Sequence, residues 1–193
     1  MEKKENSYEI IDVSDITNVR FYTSIDQGSY IPPHWHRAVE IIYMQEGSLD
    51  ITVESQNFTI YPGDCTLINA NILHSTKCTS PNKAIVLQIP VDFMEKYIPN
   101  IQQLLFMLDH TVTDPVRKTK TAMLCTVLEQ MQIIDDIRPD GFIMRFNSLL
   151  FELLFQLYHN FSVKMFQSDL SQKKKDLDRL NLVLKYIADN YKR

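Results

Sequence analysis

The chain has 193 residues, of which 45% are hydrophobic and 23% charged, and it carries a formal net charge of −4 at pH 7. A chain of this length buries roughly 70% of its unfolded surface and needs no disulfide to fold as one compact domain with a small appendage. The negative net charge argues against nucleic-acid binding by this chain alone. No apolar run reaches the roughly 20 residues of a membrane span, so no membrane partner is expected.

Cysteine usage and the N terminus both predict a cytoplasmic protein. The three cysteines, Cys65, Cys78 and Cys125, are odd in number and lack metal-type spacing, which is typical of reduced thiols. Met1 is not followed by the apolar stretch of a signal peptide.

Residues 1–90 carry the signals of an antiparallel β-structure preceded by a polar arm. The arm, residues 1–20, contains several β-branched residues and is expected to pair along a sheet edge. From about residue 19 to residue 89, as in 49–53, apolar and polar residues alternate, so one face of each strand is buried. Short strands separated by turn signals such as Pro62-Gly63-Asp64 predict a sandwich or barrel.

After Pro90 the pattern becomes helical, and helices are predicted over 92–98, 101–109, 115–136 and 142–161. Asp114 and Pro115 supply the N-cap and the first-turn proline of the third helix. The last of these helices is apolar over more than the stripe needed for one neighbour, which predicts a second partner, either this chain's own barrel or another subunit. We also expect this helix to pair with its symmetry mate in a two-fold dimer. The residues expected at that interface are Phe142, Phe146, Leu149, Leu150, Leu153 and Leu157.

Residues 163–193 are predicted to contain a linker and then one helix, over about 176–191. The linker assignment rests on serines and on the run Lys173-Lys174-Lys175. The helix has an apolar face and little chain after it to pack on, which is typical of the start of a further domain.

Three histidines and one carboxylate form the candidate site: His34, His36, Glu40 and His74. Residues of equal parity share one face of a strand, so an unbroken strand from residue 34 to 44 directs His34, His36 and Glu40 to the same side. Imidazole nitrogens with one carboxylate suit Zn, Fe, Ni or Mn. The alternatives are a metal-free polar pocket and purely structural histidines.

Three further residues are assigned by the same parity argument. Tyr30 and Met44 share the parity of the histidines and are expected to line the same cavity. Trp35 has the opposite parity and is expected to pack away from the histidines, against the helices.

The run from Gly28 to Gly47 matches the first cupin motif at every fixed position. That motif is Gly, five residues, His-x-His, three residues, Glu, six residues and Gly. The second motif is matched by Gly63 and His74, whereas Asn69, Asn71 and Cys78 replace its proline, glycine and asparagine. The resemblance implies an α+β fold in which a cupin-like antiparallel β-barrel, or jelly roll, is followed by a helical dimerisation segment.

The whole chain resembles the N-terminal sensor and dimerisation part of AraC-type bacterial transcription regulators. The resemblance rests on Pro32-Pro33-His34-Trp35-His36, Glu40-Ile41-Ile42-Tyr43, Gly63-Asp64, His74-Ser75 and the last predicted helix. It implies an effector-binding barrel with its arm over 1–90, a helical dimerisation segment over 91–162, and over 163–193 a linker with the start of a DNA-binding domain.

The same resemblance implies a function. The domain is expected to bind a sugar or another small organic molecule in the barrel, to form a homodimer, and to reach DNA only through a helix-turn-helix domain absent from this chain. No catalytic activity is expected. The alternatives are a metal-dependent cupin enzyme of the dioxygenase or isomerase type, and a stand-alone dimeric binding protein.

Overall fold

The computed structural model describes residues 7–108, 111 and 113–165. Nine strands come first along the chain, as the alternating pattern predicts. They are β1 (Ser7–Tyr8), β2 (Arg20–Asp26), β3 (Tyr30–Trp35), β4 (Ala38–Glu46), β5 (Leu49–Val53), β6 (Gln56–Ile60), β7 (Cys65–Ile68), β8 (His74–Lys77) and β9 (Asn82–Pro90).

These strands form two sheets rather than one closed barrel. The five-stranded sheet has the order β1-β3-β8-β5-β6 and the four-stranded sheet the order β2-β9-β4-β7. All pairs are antiparallel except β1 with β3, where Ser7 lies opposite His34 and Tyr8 opposite Trp35. The arm therefore pairs along a sheet edge, as predicted, and the fold is a jelly-roll-like sandwich of the α+β class.

Strand β4 contributes to two different cores. Its residues Ile42 and Met44 lie in an apolar cluster between the two sheets, which also contains Ile51 and Ile60 of the facing sheet. Its residues of odd number, such as Ile41, belong to a second cluster shared with the helices. The molecule therefore has three layers, with the four-stranded sheet in the middle, and the parity predicted for β4 is confirmed.

The helical layer differs from the sequence prediction in its first two helices, of which the one predicted over 92–98 ends at Met94. Its elements are α1 (Val91–Met94), a 3-10 turn (Ile101–Gln103), β10 (Leu104–Phe106), α2 (Pro115–Ile137), α3 (Phe142–Asn160) and β11 (Ser162–Lys164). The helix predicted over 101–109 is wrong beyond residue 103, because Leu104–Phe106 pairs antiparallel with Ser162–Lys164. We call this two-stranded pair the ribbon.

The predicted starts of the long helices are confirmed. The side chain of Asp114 accepts a hydrogen bond from the Arg117 N–H at 2.8 Å and caps α2. Gly141 precedes α3 in a left-handed conformation. In the described part of the chain, neither helix combines the length and apolarity needed to cross a bilayer.

The residues predicted at the dimer interface lie inside the molecule instead. Phe146, Leu149, Leu150, Leu153 and Leu157 are buried in the cluster that joins the helices to the sheet, and Phe142 packs against it. These side chains pack against this chain's own sheet and against α2, so they are not available to a second copy.

The predicted linker also begins later than residue 163. Val163 and Lys164 belong to β11, and the Met165 N–H donates to the Gln103 carbonyl at 2.8 Å. The predicted helix over 176–191, like the rest of 166–193, lies outside the described residues.

Candidate metal centre

The candidate ligands come from both sheets. His34 in β3 lies directly opposite His74 in β8. The chain then leaves the five-stranded sheet at His36 and Arg37, which belong to neither strand, and enters β4 of the other sheet, which carries Glu40. The unbroken strand predicted from residue 34 to 44 is therefore wrong, and the side chains meet across the interior of the sandwich.

The three histidines form a compact, buried cluster. Their ring centroids are separated by 4.1 Å for His34 and His74, 5.0 Å for His36 and His74, and 5.9 Å for His34 and His36. One ring nitrogen from each lies within 4.8 Å of the other two. We call these three side chains the histidine cluster.

Backbone carbonyl groups fix the orientation of each ring. The Nδ1 atoms of His34, His36 and His74 lie 2.9, 3.1 and 2.9 Å from the carbonyl oxygens of Pro32, Ala38 and Ile72. Because a carbonyl oxygen only accepts, the Nδ1 atoms of His34 and His74 carry a proton, and the Nε2 lone pair of the neutral ring is left for another partner. Metal-binding histidines are held in this way.

Glu40 occupies the edge of the cluster. Its Oε2 atom lies 2.7 Å from His36 Nε2, accepts a hydrogen bond from Gln88 Nε2 at 2.9 Å, and is 3.6 Å from His74 Nε2. Burial alone would raise the pKa of Glu40, but the His36 hydrogen bond and the nearby His74 ring outweigh it and hold that pKa well below its ordinary value. The carboxylate is therefore charged when no metal is bound.

The pKa values of His34 and His74 are shifted in opposite directions. Burial lowers the pKa of His34, and the His74 ring adds to this effect. Burial also acts to lower the pKa of His74, but the Glu40 carboxylate more than compensates and raises it. Among the described residues the buried His74 Nε2 has no hydrogen-bond partner. Three imidazoles whose nitrogen atoms converge, one of them buried without a hydrogen-bond partner, form the donor set of a metal site. These residues therefore fit a divalent ion.

Sequence reasoning missed three residues that surround the cluster. Glu9 belongs to the arm. Its Oε2 atom is 3.5 Å from His34 Nε2, and its Oε1 atom is 3.1 Å from Arg20 Nη1. Arg20 also donates to Gln88 Oε1 at 3.2 Å, and Gln88 holds Glu40. Gln88 carries a sequence signal, since it is a lone polar residue in the apolar run 84–89. Glu9 carries none, because only the tertiary fold brings the arm to His34.

A bulge in β3 overturns the placement of Tyr30. Tyr30 lies opposite Lys77, but His34 lies opposite His74, so β3 contains one more residue than its partner over this stretch. Parity is inverted across the bulge, and Tyr30 is on the strand face opposite that of His34. Its expected place in the cavity is therefore wrong.

Met44 and Trp35 have clear positions. Met44 lies on the interior face of β4, as Glu40 does, but four residues and about 13 Å further along the strand, within the apolar cluster. The Trp35 ring packs against Tyr8 of the arm, with centroids 4.5 Å apart. It therefore contacts the arm, and not the helices that the sequence predicted.

The loop before His74 contains Asn69 and Asn71, two of the residues that depart from the second cupin motif. Asn71 has φ +63°, a left-handed conformation that glycine adopts freely and that asparagine tolerates. Its N–H donates to the His36 carbonyl at 2.8 Å. Asn69 bonds Phe106 twice, because its amide donates to the Phe106 carbonyl at 2.9 Å and its Oδ1 accepts from the Phe106 N–H at 2.9 Å.

Comparison with known proteins agrees with the observed sandwich. The cupin domain family model matches residues 21–90. Similar solved structures include a cupin superfamily protein from Desulfitobacterium hafniense, with 16% identity and a TM-score of 0.38 over 42% of this chain and 72% of that one. KdgF from Halomonas sp. has 19% identity and a TM-score of 0.35 over 45% and 80% of the two chains.

A third similar structure is the DMSP lyase DddQ from Ruegeria pomeroyi, with 26% identity and a TM-score of 0.35 over 39% of this chain and 40% of that one. No curated protein matches the chain. The family match covers β2 to β9 and includes the histidine cluster and Glu40. Residues 21–90 therefore have the cupin fold.

Proposed function

We propose that this chain is the effector-sensing and dimerisation part of an AraC-type transcription regulator, with the histidine cluster as its effector site. The observation that carries the proposal is the connection of that cluster to two distant segments, the N-terminal arm and the ribbon. A catalytic site needs no such connections, whereas a sensor must transmit its occupancy to the rest of the protein.

The first connection leads to the ribbon. The loop before His74 is bound to His36 through Asn71 and to β10 through the two Asn69–Phe106 hydrogen bonds. Phe106 lies opposite Ser162 in β11, at the end of the helical layer. A displacement of His74 therefore acts, through one short loop, on the last described strand of the chain.

The second connection leads to the arm. Ser7 lies opposite His34, and the Glu9 carboxylate contacts both His34 and Arg20. The cluster is buried beneath these contacts, since His34, His36 and His74 are each less than a tenth exposed. An effector that enters must displace the arm, and it favours whichever arrangement of the arm binds it more tightly.

His34, His36 and His74 are the residues that would hold a divalent ion, with Glu40 beside them. Such an ion would supply a positive centre that attracts oxygen atoms of a small organic effector. Gln88 and His36 orient the Glu40 carboxylate, and the three backbone carbonyls orient the rings. These contacts keep the Nε2 atoms directed at one point without an ion.

The competing function is a metal-dependent cupin enzyme, and the three-histidine donor set is the observation that favours it. A catalytic metal keeps a position open for water or substrate. Here the three histidines are buried, and the Glu9 carboxylate lies 3.5 Å from Nε2 of His34, the most exposed of the three. The burial therefore favours a sensor that opens on binding.

For dimerisation we propose a different face of α3 from the one predicted. Residues 144, 148, 151, 155 and 158 follow one another at alternating steps of four and three, which is the spacing of a helix-pairing seam. All five are exposed, with Met144 at 80% and Phe155 at 58%. We call this face the α3 seam, and we propose that the α3 seam of a second copy covers it.

The site is tested by titrating Zn²⁺, Ni²⁺, Mn²⁺ and Fe²⁺ into the wild type, His36→Ala and His159→Ala. His159 is an exposed residue of α3 and serves as the matched control. We expect one ion per chain, with affinity lost in His36→Ala by more than the roughly 10- to 100-fold that removal of an outer-shell partner costs. Equal binding by both variants would place the ion elsewhere.

The regulatory role is tested by sequencing the native gene beyond the codon for Arg193. We expect the codons beyond Arg193 to encode two helix-turn-helix units, and the intact product to bind DNA. An open reading frame that ends at Arg193, together with turnover of a substrate by the metal-loaded chain, would establish the enzyme instead.

The dimer is tested by light scattering on Phe155→Glu. The control is Ile133→Glu, at an exposed position of α2. We expect a dimer for the wild type and the control, and a monomer for Phe155→Glu. A monomeric wild type at micromolar concentration would contradict the proposed seam.

A further inference from the structure

Two of the side chains around the histidine cluster are partly open to solvent, and they bind each other. The side chains of Glu9 and Arg20 are 32% and 35% exposed, with 3.1 Å between Glu9 Oε1 and Arg20 Nη1. His34, Gln88 and Glu40, which lie behind them, are buried. A molecule that approaches the histidine cluster from solvent on this side therefore meets Glu9 and Arg20 first, and we call these two residues the entrance pair.

Arg20 has contacts that do not involve the arm. Arg20 of β2 lies opposite Gln88 of β9, which in turn lies opposite Glu40 of β4, so the three side chains form a row on one face of the sheet. Arg20 Nη1 donates to Gln88 Oε1 at 3.2 Å. The guanidinium carbon also lies 4.9 Å from the centre of the Tyr22 ring. The guanidinium is therefore held in position for an anion even when Glu9 is elsewhere.

The Glu9 carboxylate has weaker support. One of its oxygens accepts the hydrogen bond from Arg20, and the other is 3.5 Å from His34 Nε2. The neutral His34 ring presents a lone pair at that atom, because its Nδ1 proton is donated to the Pro32 carbonyl. Two acceptor atoms do not attract each other, so a carboxylate at this position is bound more strongly when a positive charge lies in the cluster.

The charge of the entrance pair favours one class of effector. When a carboxylate from solvent replaces that of Glu9, the Arg20 guanidinium exchanges one anionic partner for another, and its planar fork matches a carboxylate well. A neutral sugar has no charge with which to replace the partner that Arg20 loses. A cationic molecule is repelled by Arg20. A divalent ion in the cluster adds two positive charges and strengthens the preference for an anion.

We propose that the effector is a small organic acid whose carboxylate takes the position of the Glu9 carboxylate between Arg20 and His34. This inference rests on the proposed function, since it names the chemical class of the effector for the same site. In the free protein Glu9 fills the acid position, and it leaves with the arm when the effector binds. Arg20 is the residue that selects an acid over a neutral molecule.

Trp35 provides a signal for displacement of the arm. It is the single tryptophan of the chain, and its ring packs against Tyr8 of the arm with centroids 4.5 Å apart. The test is a titration of the wild type with sodium acetate at constant ionic strength, with and without Zn²⁺, followed by Trp35 fluorescence. Acetamide is the neutral probe of the same shape. We expect a saturable change with acetate, at lower concentration when Zn²⁺ is present, and none with acetamide.

The affinity for acetate is measured in variants by nuclear magnetic resonance, from the amide signals of β2 and β3. Glu9→Ala removes the competing carboxylate and should bind acetate about 5- to 150-fold more tightly, the range between an exposed ion pair and a charge-assisted hydrogen bond. Adding Arg20→Met should abolish this gain, and Arg20→Lys should retain part of it. Glu46→Ala and Arg117→Met, at exposed positions, are the matched controls and should bind acetate as the wild type does.

Two results would overturn the inference. One is equal binding of acetate and acetamide, and the other is an acetate affinity that Arg20→Met leaves unchanged in folded protein. If the Phe106 amide responds to the bound ion in a protein that does not bind acetate, the sensor stands and the acid class is wrong. If acetate binds at Arg20 and changes Trp35 fluorescence while the Phe106 amide does not respond, the acid site is supported and the proposed transmission is contradicted.

Discussion

Asn69 offers the most direct perturbation of the connection between the histidine loop and the ribbon. Asn69→Ala removes both hydrogen bonds to Phe106, each 2.9 Å long. A hydrogen bond contributes about 0.5–1.5 kcal/mol net, so the pair contributes about 1–3 kcal/mol to holding β10 against the sandwich. The Phe106 side chain is buried, so its backbone groups have little water to replace the lost partner.

The assay is hydrogen exchange of the Phe106 amide, whose proton is donated to Asn69 Oδ1 and not to the neighbouring strand. A local loss of about 1–3 kcal/mol accelerates exchange by about 5- to 150-fold. Asn69→Asp keeps the acceptor for the Phe106 N–H and loses only the donor, so we expect an intermediate rate. Asn57→Ala, at an exposed position of the β5–β6 hairpin, serves as the background control.

Unchanged exchange at Phe106 in Asn69→Ala would refute the reasoning, because it would mean that the loop before His74 does not hold the ribbon. Accelerated exchange across the whole sandwich would refute it as well. That pattern would indicate global destabilisation and no specific connection to β10.

Three further substitutions test the packing by thermal unfolding. Gly47→Ala places a Cβ 2.8 Å from the Asn82 Cβ at a position with φ +74°. It should lower the free energy of unfolding by more than Gly63→Ala, where only the positive φ costs about 1–2 kcal/mol. Equal losses in the two variants would contradict the steric argument. Asp114→Ala removes the cap of α2 and should cost about 0.5–2 kcal/mol, so an unchanged melting temperature would show that the cap is redundant. Leu153→Ala should destabilise the monomer by about 2–5 kcal/mol, and dissociation of a dimer without such a loss would return that residue to an interface.

The sequence was sufficient to predict features that depend on local periodicity. The alternation in β4 correctly separates Ile42 and Met44 from Ile41, because a regular strand exposes each face at every second residue. Asp114 and Pro115 correctly mark the start of α2, because capping depends on residues within one turn.

Features that depend on irregularity or on distant contacts were not predictable. The bulge that inverts Tyr30 and the break at His36 are invisible to a parity argument, which assumes an unbroken strand. The apolar excess of α3 correctly indicates extra packing but does not identify the partner, which proves to be this chain's own sheet. Glu9 reaches His34 only because the arm pairs with β3, and that pairing is fixed by the tertiary fold.

The central claim is that occupancy of the histidine cluster is transmitted to the ribbon. The most direct test is to measure hydrogen exchange of the Phe106 and Ser162 amides with and without a bound divalent ion. We expect the exchange rates to change by about 5- to 150-fold, the usual range of coupling between sites, in the wild type and not in Asn69→Ala. An ion that binds at full stoichiometry in a His36-dependent manner, yet leaves these rates unchanged, would contradict the account.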